Sequence, residues 1–357
     1  MSELNFADLV QPSNTDQTTA LRVTVLGGGS FGTAVANLAA RNGCQTKLWI
    51  RDAATAEEMQ QTHVNKKYLP DYPLDARLNV LSDLEQAVRE CDLILVTIPS
   101  HSFRSVIKKI KPFISAQAII SLTKGIEAET FCFMTEIIRE ELPEIPYGVL
   151  SGPNLAKEIM AGMPAGTVIA SHSELVRSAV QQALHSALFR VFASDDVHGV
   201  ELGGALKNIY AVAMGMAVAH NVGENTRSMI LTRALAEMSR FAVELGANPL
   251  TFLGLSGVGD LFATCNSPLS RNYQVGFALG KGKTLQQATE ELGQTAEGIN
   301  TIVQVRTRAK ALDVYMPITN ALYEVIFENA PPLSIALALM KNGHRSDVEF
   351  VLPHQQL

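Results

Sequence analysis

The sequence predicts an α/β fold, in which a doubly wound sheet domain is followed by an all-helical C-terminal domain. Three observations carry this prediction. Short apolar, β-rich runs alternate with helical segments up to about residue 195. From Val200 onward, apolar residues recur at helical spacing instead. The chain has 357 residues, 47% of them hydrophobic, which is enough for two domains with a sizeable core.

A glycine-rich turn joins the first expected strand to the first expected helix. The run Arg22–Leu26 ends at Gly27, and Gly27, Gly29 and Gly32 match the spacing G-x-G-x-x-G. Such glycines allow a tight turn, the close approach of a pyrophosphate, and packing of helix on strand. The following helix N-terminus favours phosphate. We therefore expect a Rossmann-like dinucleotide-binding domain; a plain strand–helix turn is the alternative.

The other elements of the sheet domain follow in order. A capping box of Ser82 and Glu85 is expected to open one helix. Asn154 is expected to cap a short helix from Leu155, to contact ligand, or both. Residues 63–70 are expected to form a polar loop. We expect strands over 46–50, 92–98, 118–122, 149–150, 167–170 and 190–193, and helices over 82–90, 103–110, 131–142 and 174–188.

Arg51 and Asp52 follow the second strand, about 20 residues after the glycine turn, where residues that read the cofactor ribose lie in such folds. An acidic residue there favours NAD, and an arginine favours the 2′-phosphate of NADP. Both are present. We expect NADP to be favoured because Arg51 directly follows the strand; Arg51 as an ordinary surface charge is the alternative.

Two lysines occupy unusual sequence contexts. Lys124 directly follows an expected strand, where ligands of open α/β sheets bind. Lys207 lies inside a strongly apolar helix beside Gly203 and Gly204, whose small size is expected to leave room for a ligand. A surface position for Lys124 and a snorkelling side chain for Lys207 are the alternatives. Asp260 opens a helical turn and is expected either to cap it or to orient a nearby lysine.

Ser270, Arg271 and Asn272 offer a hydroxyl, a guanidinium and an amide in succession. Arginine matches a phosphate dianion geometrically.

Glu297 precedes a further helix and is expected to accept a hydrogen bond from the ribose or from the nicotinamide amide of the cofactor. Further helices are expected over 200–218, 229–245, 284–292, 298–312 and 320–328. The expected division is an extension over 1–20, a dinucleotide-binding domain over 21–199, a helical substrate-binding domain over 200–340, and a tail over 341–357.

Bulk composition excludes several classes of protein. The net charge of −6, without a run of Lys or Arg, argues against nucleic-acid and acidic-membrane binding. The four cysteines have neither zinc-ligand nor disulfide-framework spacing, which indicates free thiols in a reducing cytosol and no metal site. Residues 1–19 lack secretory-signal features, and 335–340 is too short an apolar run to span a bilayer. A cytoplasmic protein without membrane insertion is expected.

Seven short motifs together resemble the NAD(P)-dependent glycerol-3-phosphate dehydrogenases of the bacterial biosynthetic type. They occur in the order and rough spacing of that family over about residues 21–333: Gly27–Ala34, Thr123–Gly125, Ser151–Glu158, Leu206–Asn208, Gly259–Leu261, Ser270–Asn272 and Ala296–Gly298. Phe31 stands where many members carry Trp, so an aromatic surface is kept.

The resemblance implies reversible reduction of dihydroxyacetone phosphate to sn-glycerol 3-phosphate, feeding phospholipid synthesis. It implies Lys207, Lys124 and Asp260 as catalytic residues, no metal, and a homodimer. It implies that NADP or NAD binds Gly27, Gly29, Ser30, Phe31, Gly32, Arg51, Tyr68, Lys124, Ala156, Arg271, Thr295 and Glu297. The substrate would bind Lys124, Gly152, Asn154, Lys207, Asp260, Ser270, Arg271 and Asn272. A β-hydroxyacid or opine dehydrogenase, and a non-catalytic NADP-binding sensor, are the alternatives; Ser270–Asn272 favours a phosphorylated substrate.

Overall fold

A computed structural model of the chain describes residues 20–293 and 296–341. The chain divides into two compact units, with residues 124–133, 151–153 and 198 onward in the second. The N-terminal extension, the C-terminal tail beyond Lys341, and Thr295 lie outside the described residues.

The first unit contains a parallel-dominated sheet with helices. Its strands are β1 (Arg22–Leu26), β2 (Gln45–Trp49), β3 (Val64–Asn65), β4 (Leu69–Pro73), β5 (Asn79–Leu81), β6 (Leu93–Val96), β7 (Ala118–Ser121), β8 (Tyr147–Ser151), β9 (Ala165–Ala170) and β10 (Phe189–Ser194). Its helices are α1 (Ser30–Arg41), α2 (Ala53–Thr62), α3 (Leu84–Val88), α4 (Ser100–Ile110), α5 (Met134–Glu141), α6 (Ala156–Met160) and α7 (Glu174–Leu184).

The order of the strands creates a switch point beside β1. The main sheet runs β10-β9-β8-β7-β6-β1-β2-β5, and β1 pairs in parallel with both β2 and β6. The strand order therefore departs in opposite directions on either side of β1, and ligands of such sheets bind at the carboxyl ends next to this point. The glycine turn directly follows β1. The buried strand β6 and the small-residue face of α1 (Ala34–Ala36, Ala39, Ala40) supply part of the core.

The second unit is built from helices around its own core. They are α8 (Val197–Ala219), α9 (Glu224–Glu244), α10 (Asp260–Asn266), α11 (Arg271–Gly280), α12 (Leu285–Leu292), α13 (Glu297–Ala311), α14 (Pro317–Phe327) and α15 (Leu333–Lys341). By length and composition α8 could cross a membrane, but 89% of its apolar 18-residue stretch is buried inside the protein. The helix is therefore a core helix of this unit.

Several sequence expectations for local structure were wrong. The polar stretch 63–70 is not a loop alone, because it contains β3 and the start of β4, which pair as an antiparallel hairpin over residues 64–73. Asp83, not Ser82, caps α3 by accepting from Gln86 N, while the Ser82 carbonyl accepts from Trp49 Nε1. The expected helix over 131–142 begins at Met134, because Phe131 has φ +61° and Phe133 pairs with Ile126. Helix α7 ends at Leu184.

Asn154 does not cap the short helix α6. Leu155 occupies the N-cap position without a side-chain hydrogen bond, and Asn154 Nδ2 donates to Thr167 Oγ1 at 2.9 Å instead. The Asn154 Oδ1 atom is buried with no hydrogen-bond partner in the described structure. A buried carbonyl oxygen without a donor is costly, which keeps open the second expectation, that Asn154 contacts ligand.

Candidate active site

The glycine turn of the first unit has the geometry that close approach of backbone requires. Gly27 has φ +120°, a region that L side chains rarely adopt. A Cβ on Gly32 would lie 2.0 Å from Gly27 O, so α1 packs against the turn only because residue 32 has no side chain. A Cβ on Gly29 would meet no protein atom within 4 Å. The space beside Gly29 therefore fits the pyrophosphate of a dinucleotide at the N-terminus of α1.

Asn65, which the sequence reasoning missed, fixes this turn. Its buried amide Nδ2 donates to Gly28 O at 3.0 Å and to Thr33 Oγ1 at 2.8 Å. Its Oδ1 accepts from Tyr68 N at 3.2 Å. The β3–β4 hairpin is thereby tied to the glycine turn, and Tyr68 and Phe31 pack, partly buried, against the sheet core. Asn65 lies in the polar stretch 63–70, whose turn residues are visible in the sequence. The sequence does not show that its partners are Gly28 and Thr33, because they lie more than 30 positions away.

Arg51 and Asp52 differ in what they do at the end of β2. Arg51 is exposed. Asp52 is the N-cap of α2, and its Oδ2 accepts from Thr55 N at 2.8 Å and from Thr55 Oγ1 at 2.5 Å. The Thr55 hydroxyl and N–H hold the pKa of the Asp52 carboxyl below its usual range, and the positive charge of Lys67 adds to this. Ser30 and Ala156 each begin a helix of this unit and are partly exposed.

The second unit brings Lys124, Lys207 and Asp260 into one ion-paired cluster. Asp260 is 1% exposed; its Oδ1 accepts from Lys207 Nζ and its Oδ2 accepts from Lys124 Nζ at 2.6 Å. Lys124 Nζ also donates to Gly152 O at 2.9 Å. Of the two expectations for Asp260, orientation of a lysine is the one confirmed, because Gly259 occupies the N-cap position of α10.

Helix packing decides where Lys207 lies. A Cβ on Gly203 would lie 2.4 Å from Ser256 O, and one on Gly204 would lie 2.4 Å from Ser151 Oγ. The small residues therefore admit neighbouring protein segments, and the expectation that they leave room for a ligand was wrong at these contacts. Lys207 also donates to Thr264 Oγ1 at 2.5 Å, and Thr264 Oγ1 donates to Asp260 Oδ1 at 3.1 Å. Thr264 is a member of the cluster that sequence reasoning missed.

The environment lowers the pKa of Lys207 from 10.5 to about 7. Burial of the ammonium group is the main cause, and the positive charge of Lys124 acts in the same direction. The carboxylate of Asp260 opposes the shift. Burial and the charge of Lys124 therefore outweigh the effect of Asp260, and the pKa of Lys207 is lowered. A lysine with this pKa exchanges its proton near neutral pH, as a general acid or base requires.

A second chain of hydrogen bonds links four segments of this unit. Asn208 Nδ2 donates to Lys124 O at 3.2 Å, Asn272 Nδ2 donates to Asn208 Oδ1 at 2.9 Å, and Gly298 N donates to Asn272 Oδ1 at 2.9 Å. Each of Asn208, Asn272 and Gly298 directly follows a candidate site residue: Lys207, Arg271 and Glu297. The amides therefore fix the backbone from which those side chains project. Asn208 belongs to the Leu206–Asn208 motif, but the sequence indicated no role for it.

The Ser270–Asn272 segment forms the N-terminus of α11. Ser270 is the N-cap, and its Oγ accepts from Tyr273 N at 3.3 Å. Arg271 is exposed at the first position of the helix, whereas Asn272 is buried. A guanidinium at the first position of a helix, where the helix dipole also favours an anion, suits a phosphate dianion.

The chain matches the two domain models of one protein family. Residues 22–176 match the model described as NAD-dependent glycerol-3-phosphate dehydrogenase N-terminus, and residues 196–336 match the corresponding C-terminus. The chain belongs to the NAD-dependent glycerol-3-phosphate dehydrogenase family. The resemblance inferred from the seven motifs is confirmed.

Curated relatives and a solved structure agree with this family. This chain is 79% identical to a glycerol-3-phosphate dehydrogenase [NAD(P)+] from Acinetobacter baylyi and 78% identical to one from Acinetobacter baumannii. Both alignments span 357 residues and cover the whole of each chain. It is also similar to the crystal structure of glycerol-3-phosphate dehydrogenase from Coxiella burnetii, with a TM-score of 0.87, 36% identity, and coverage of 90% of this chain and 99% of that one. The predicted fold class, a Rossmann-like sheet domain followed by a helical domain, is confirmed.

Proposed function

We propose that the Lys207–Asp260–Lys124 cluster is the catalytic centre at which this NAD(P)-dependent oxidoreductase reduces dihydroxyacetone phosphate to sn-glycerol 3-phosphate, reversibly. The observation that carries the proposal is the buried carboxylate of Asp260, which accepts from two lysines at once. Two ammonium groups and one carboxylate leave one net positive charge in the cluster. That charge complements the alkoxide that develops when a ketone is reduced.

Lys207 is the proton donor in this proposal. Its Nζ donates to Asp260 and Thr264, which leaves the third N–H of the ammonium for a carbonyl oxygen. With a pKa lowered to about 7, Lys207 gives up that proton more readily than an ordinary lysine. The reduced nicotinamide, when bound, supplies the hydride. In the reverse direction neutral Lys207 takes the hydroxyl proton of glycerol 3-phosphate.

The other site residues are proposed in two groups. For the substrate we propose Gly152, Asn154, Ser270, Arg271 and Asn272 alongside the three catalytic residues, with Arg271 on the phosphate. For the dinucleotide we propose Gly27, Gly29, Ser30, Phe31, Gly32, Arg51, Tyr68, Lys124, Ala156, Arg271, Thr295 and Glu297. We propose that residues 21–199 form a dinucleotide-binding domain and residues 200–340 a substrate-binding domain.

Four further properties complete the proposal. We propose a preference for NADPH over NADH, since Arg51 is exposed while Asp52 Oδ2 is occupied as a helix cap. We propose a cytoplasmic homodimer that supplies glycerol phosphate for phospholipid synthesis. Membership of the family supports these assignments.

A spectrophotometric assay tests the reaction and the role of Lys207. Purified protein is mixed with dihydroxyacetone phosphate and NADPH or NADH, and nicotinamide absorbance is followed. We expect the wild type to consume the reduced cofactor. Lys207→Ala is expected to lower kcat by about 10³-fold, because general acid catalysis accelerates a reaction by about that factor. Cofactor affinity, measured by fluorescence titration, should stay within about twofold if the cofactor contacts are intact. Undiminished kcat in Lys207→Ala would exclude this lysine as the proton donor.

A further inference from the structure

The turn between β3 and β4 carries two adjacent lysines with different surroundings. Lys66 Nζ forms an ion pair with Glu58 at 2.6 Å, so its charge is matched. Lys67 has no carboxylate within ion-pair distance in the part of the chain that the structure describes; its Nζ lies over the Tyr68 ring, 5.2 Å from the centroid. The ring face favours an ammonium group there and restricts where the long side chain points.

This turn is held in a fixed position relative to the proposed cofactor site. Asn65 ties the hairpin to Gly28 and Thr33 of the glycine turn, and its Oδ1 holds Tyr68 N. A cleft of about 280 Å³, lined by Thr55, Glu58, Met59 and residues 64–67, lies between the hairpin and α2. The Lys67 ammonium is close enough to Asp52 for its charge to act on that carboxyl. The structure thus holds Lys67 near the end of β2.

The local charge balance shows what Lys67 adds there. Arg51 and Asp52 are neighbours in sequence, and their charges sum to zero. A phosphate monoester carries a charge of about −1.5 to −2 near neutral pH. Arg51 alone would meet it beside an acidic neighbour, and the repulsion from Asp52 would offset much of the attraction. Lys67 brings the balance to one positive charge.

We infer that Lys67 supplies a second cation, beside Arg51, for the 2′-phosphate of NADP(H) and so determines how strongly the enzyme selects NADP(H) over NAD(H). The inference rests on the proposed cofactor site, in which Arg51 reads the ribose. Lysine acts on phosphate as a point charge, while arginine supplies a planar fork. NAD(H) lacks the 2′-phosphate, so it gains nothing from Lys67.

Binding measurements without turnover test this role. NADPH and NADH are titrated against wild-type protein and against Lys67→Ala, Lys67→Arg and Lys66→Ala, with nicotinamide fluorescence as the signal. We expect Lys67→Ala to raise the Kd for NADPH about tenfold, the size of one lost charge-assisted contact, and to change the Kd for NADH less than about twofold. Lys67→Arg should retain most NADPH affinity, and Lys66→Ala should change neither Kd by more than about twofold.

Two adenosine probes locate the effect. Lys67→Ala should weaken competition by 2′,5′-ADP and leave competition by 5′-AMP unchanged. An equal loss for NADPH and NADH, or no loss for NADPH, would overturn the role of Lys67. The wild-type ratio of the two Kd values separately tests the proposed NADPH preference. Should that ratio be near one while Lys67→Ala still weakens NADPH alone, the preference fails and the role of Lys67 stands.

Discussion

Lys207 and Asp260 form a buried ion pair in the helical unit although 53 positions separate them in the chain. Lys207 comes from the middle of α8, and Asp260 from the first turn of α10. A charge on either residue alone would be strongly disfavoured at this depth. Lys124 is the third member of this ion-paired cluster. Burial lowers the pKa of Lys207, and the carboxylate of Asp260 keeps the lysine in place.

The pH dependence of the reaction should report Lys207. Reduction needs the protonated ammonium group, and burial lowers the pKa of that group to about 7. The kcat for reduction should therefore be high below pH 7 and fall about tenfold per pH unit above it, while glycerol 3-phosphate oxidation should rise with pH and level off. The measurement is kcat in both directions from about pH 5.5 to 9.5. A kcat for reduction that stays constant up to about pH 9.5, as expected for an ordinary lysine with a pKa of about 10.4, would contradict the assignment.

Removing the charge of Asp260 should move that midpoint to lower pH. The Asp260 carboxylate raises the pKa of Lys207, so in Asp260→Asn the burial and Lys124 act without opposition. Thermal stability should also fall, because two ammonium groups lose their common partner. The pH profile and Tm are compared with those of Glu85→Gln, which removes a carboxylate paired with Arg89 on the surface. A midpoint that stays at the wild-type pH would show that Asp260 does not act on Lys207.

Arg271 should act on the phosphate of the substrate. Arg271→Ala is expected to raise the KM for dihydroxyacetone phosphate by about 10- to 100-fold, the size of a lost charge-assisted hydrogen bond. At saturating cofactor, activity with unphosphorylated dihydroxyacetone, which lacks that phosphate, should change little. Arg308→Ala, at an exposed position in the last turn of α13, is the matched control. Equal losses with both substrates would argue against a phosphate contact.

Two glycines of the cofactor turn should respond differently to alanine. In Gly32→Ala the new Cβ would lie 2.0 Å from Gly27 O and 2.3 Å from Thr97 Oγ1, so Tm should fall by several degrees. In Gly29→Ala the Cβ meets no protein atom, and φ −70°, ψ 177° suits alanine, so Tm should hold. The Kd for NADPH and NADH should nevertheless rise at least about tenfold, because the methyl group occupies the proposed pyrophosphate position. Unchanged affinity in Gly29→Ala would place the pyrophosphate elsewhere.

Much of the fold could be read from local pattern. The apolar strands, the glycine turn after β1 and the change to helical periodicity near residue 200 depend on neighbouring residues, and the structure has them where they were expected. The seven motifs identified the family for the same reason, since each is a short contiguous run. Where a neighbour offered an equally good cap, as Asp83 does beside Ser82, the local rule did not select between them.

The sequence by itself thus determined the two-part architecture, the dinucleotide turn and the candidate residues, including Lys124, Lys207 and Asp260. Only the tertiary structure decided that Asp260 joins both lysines, that Thr264 and Asn208 take part, and that Gly203 and Gly204 admit Ser256 and Ser151. These contacts join residues far apart in the chain. Which residues meet in these contacts depends on how whole helices pack, and the local periodicity of a sequence does not contain that information.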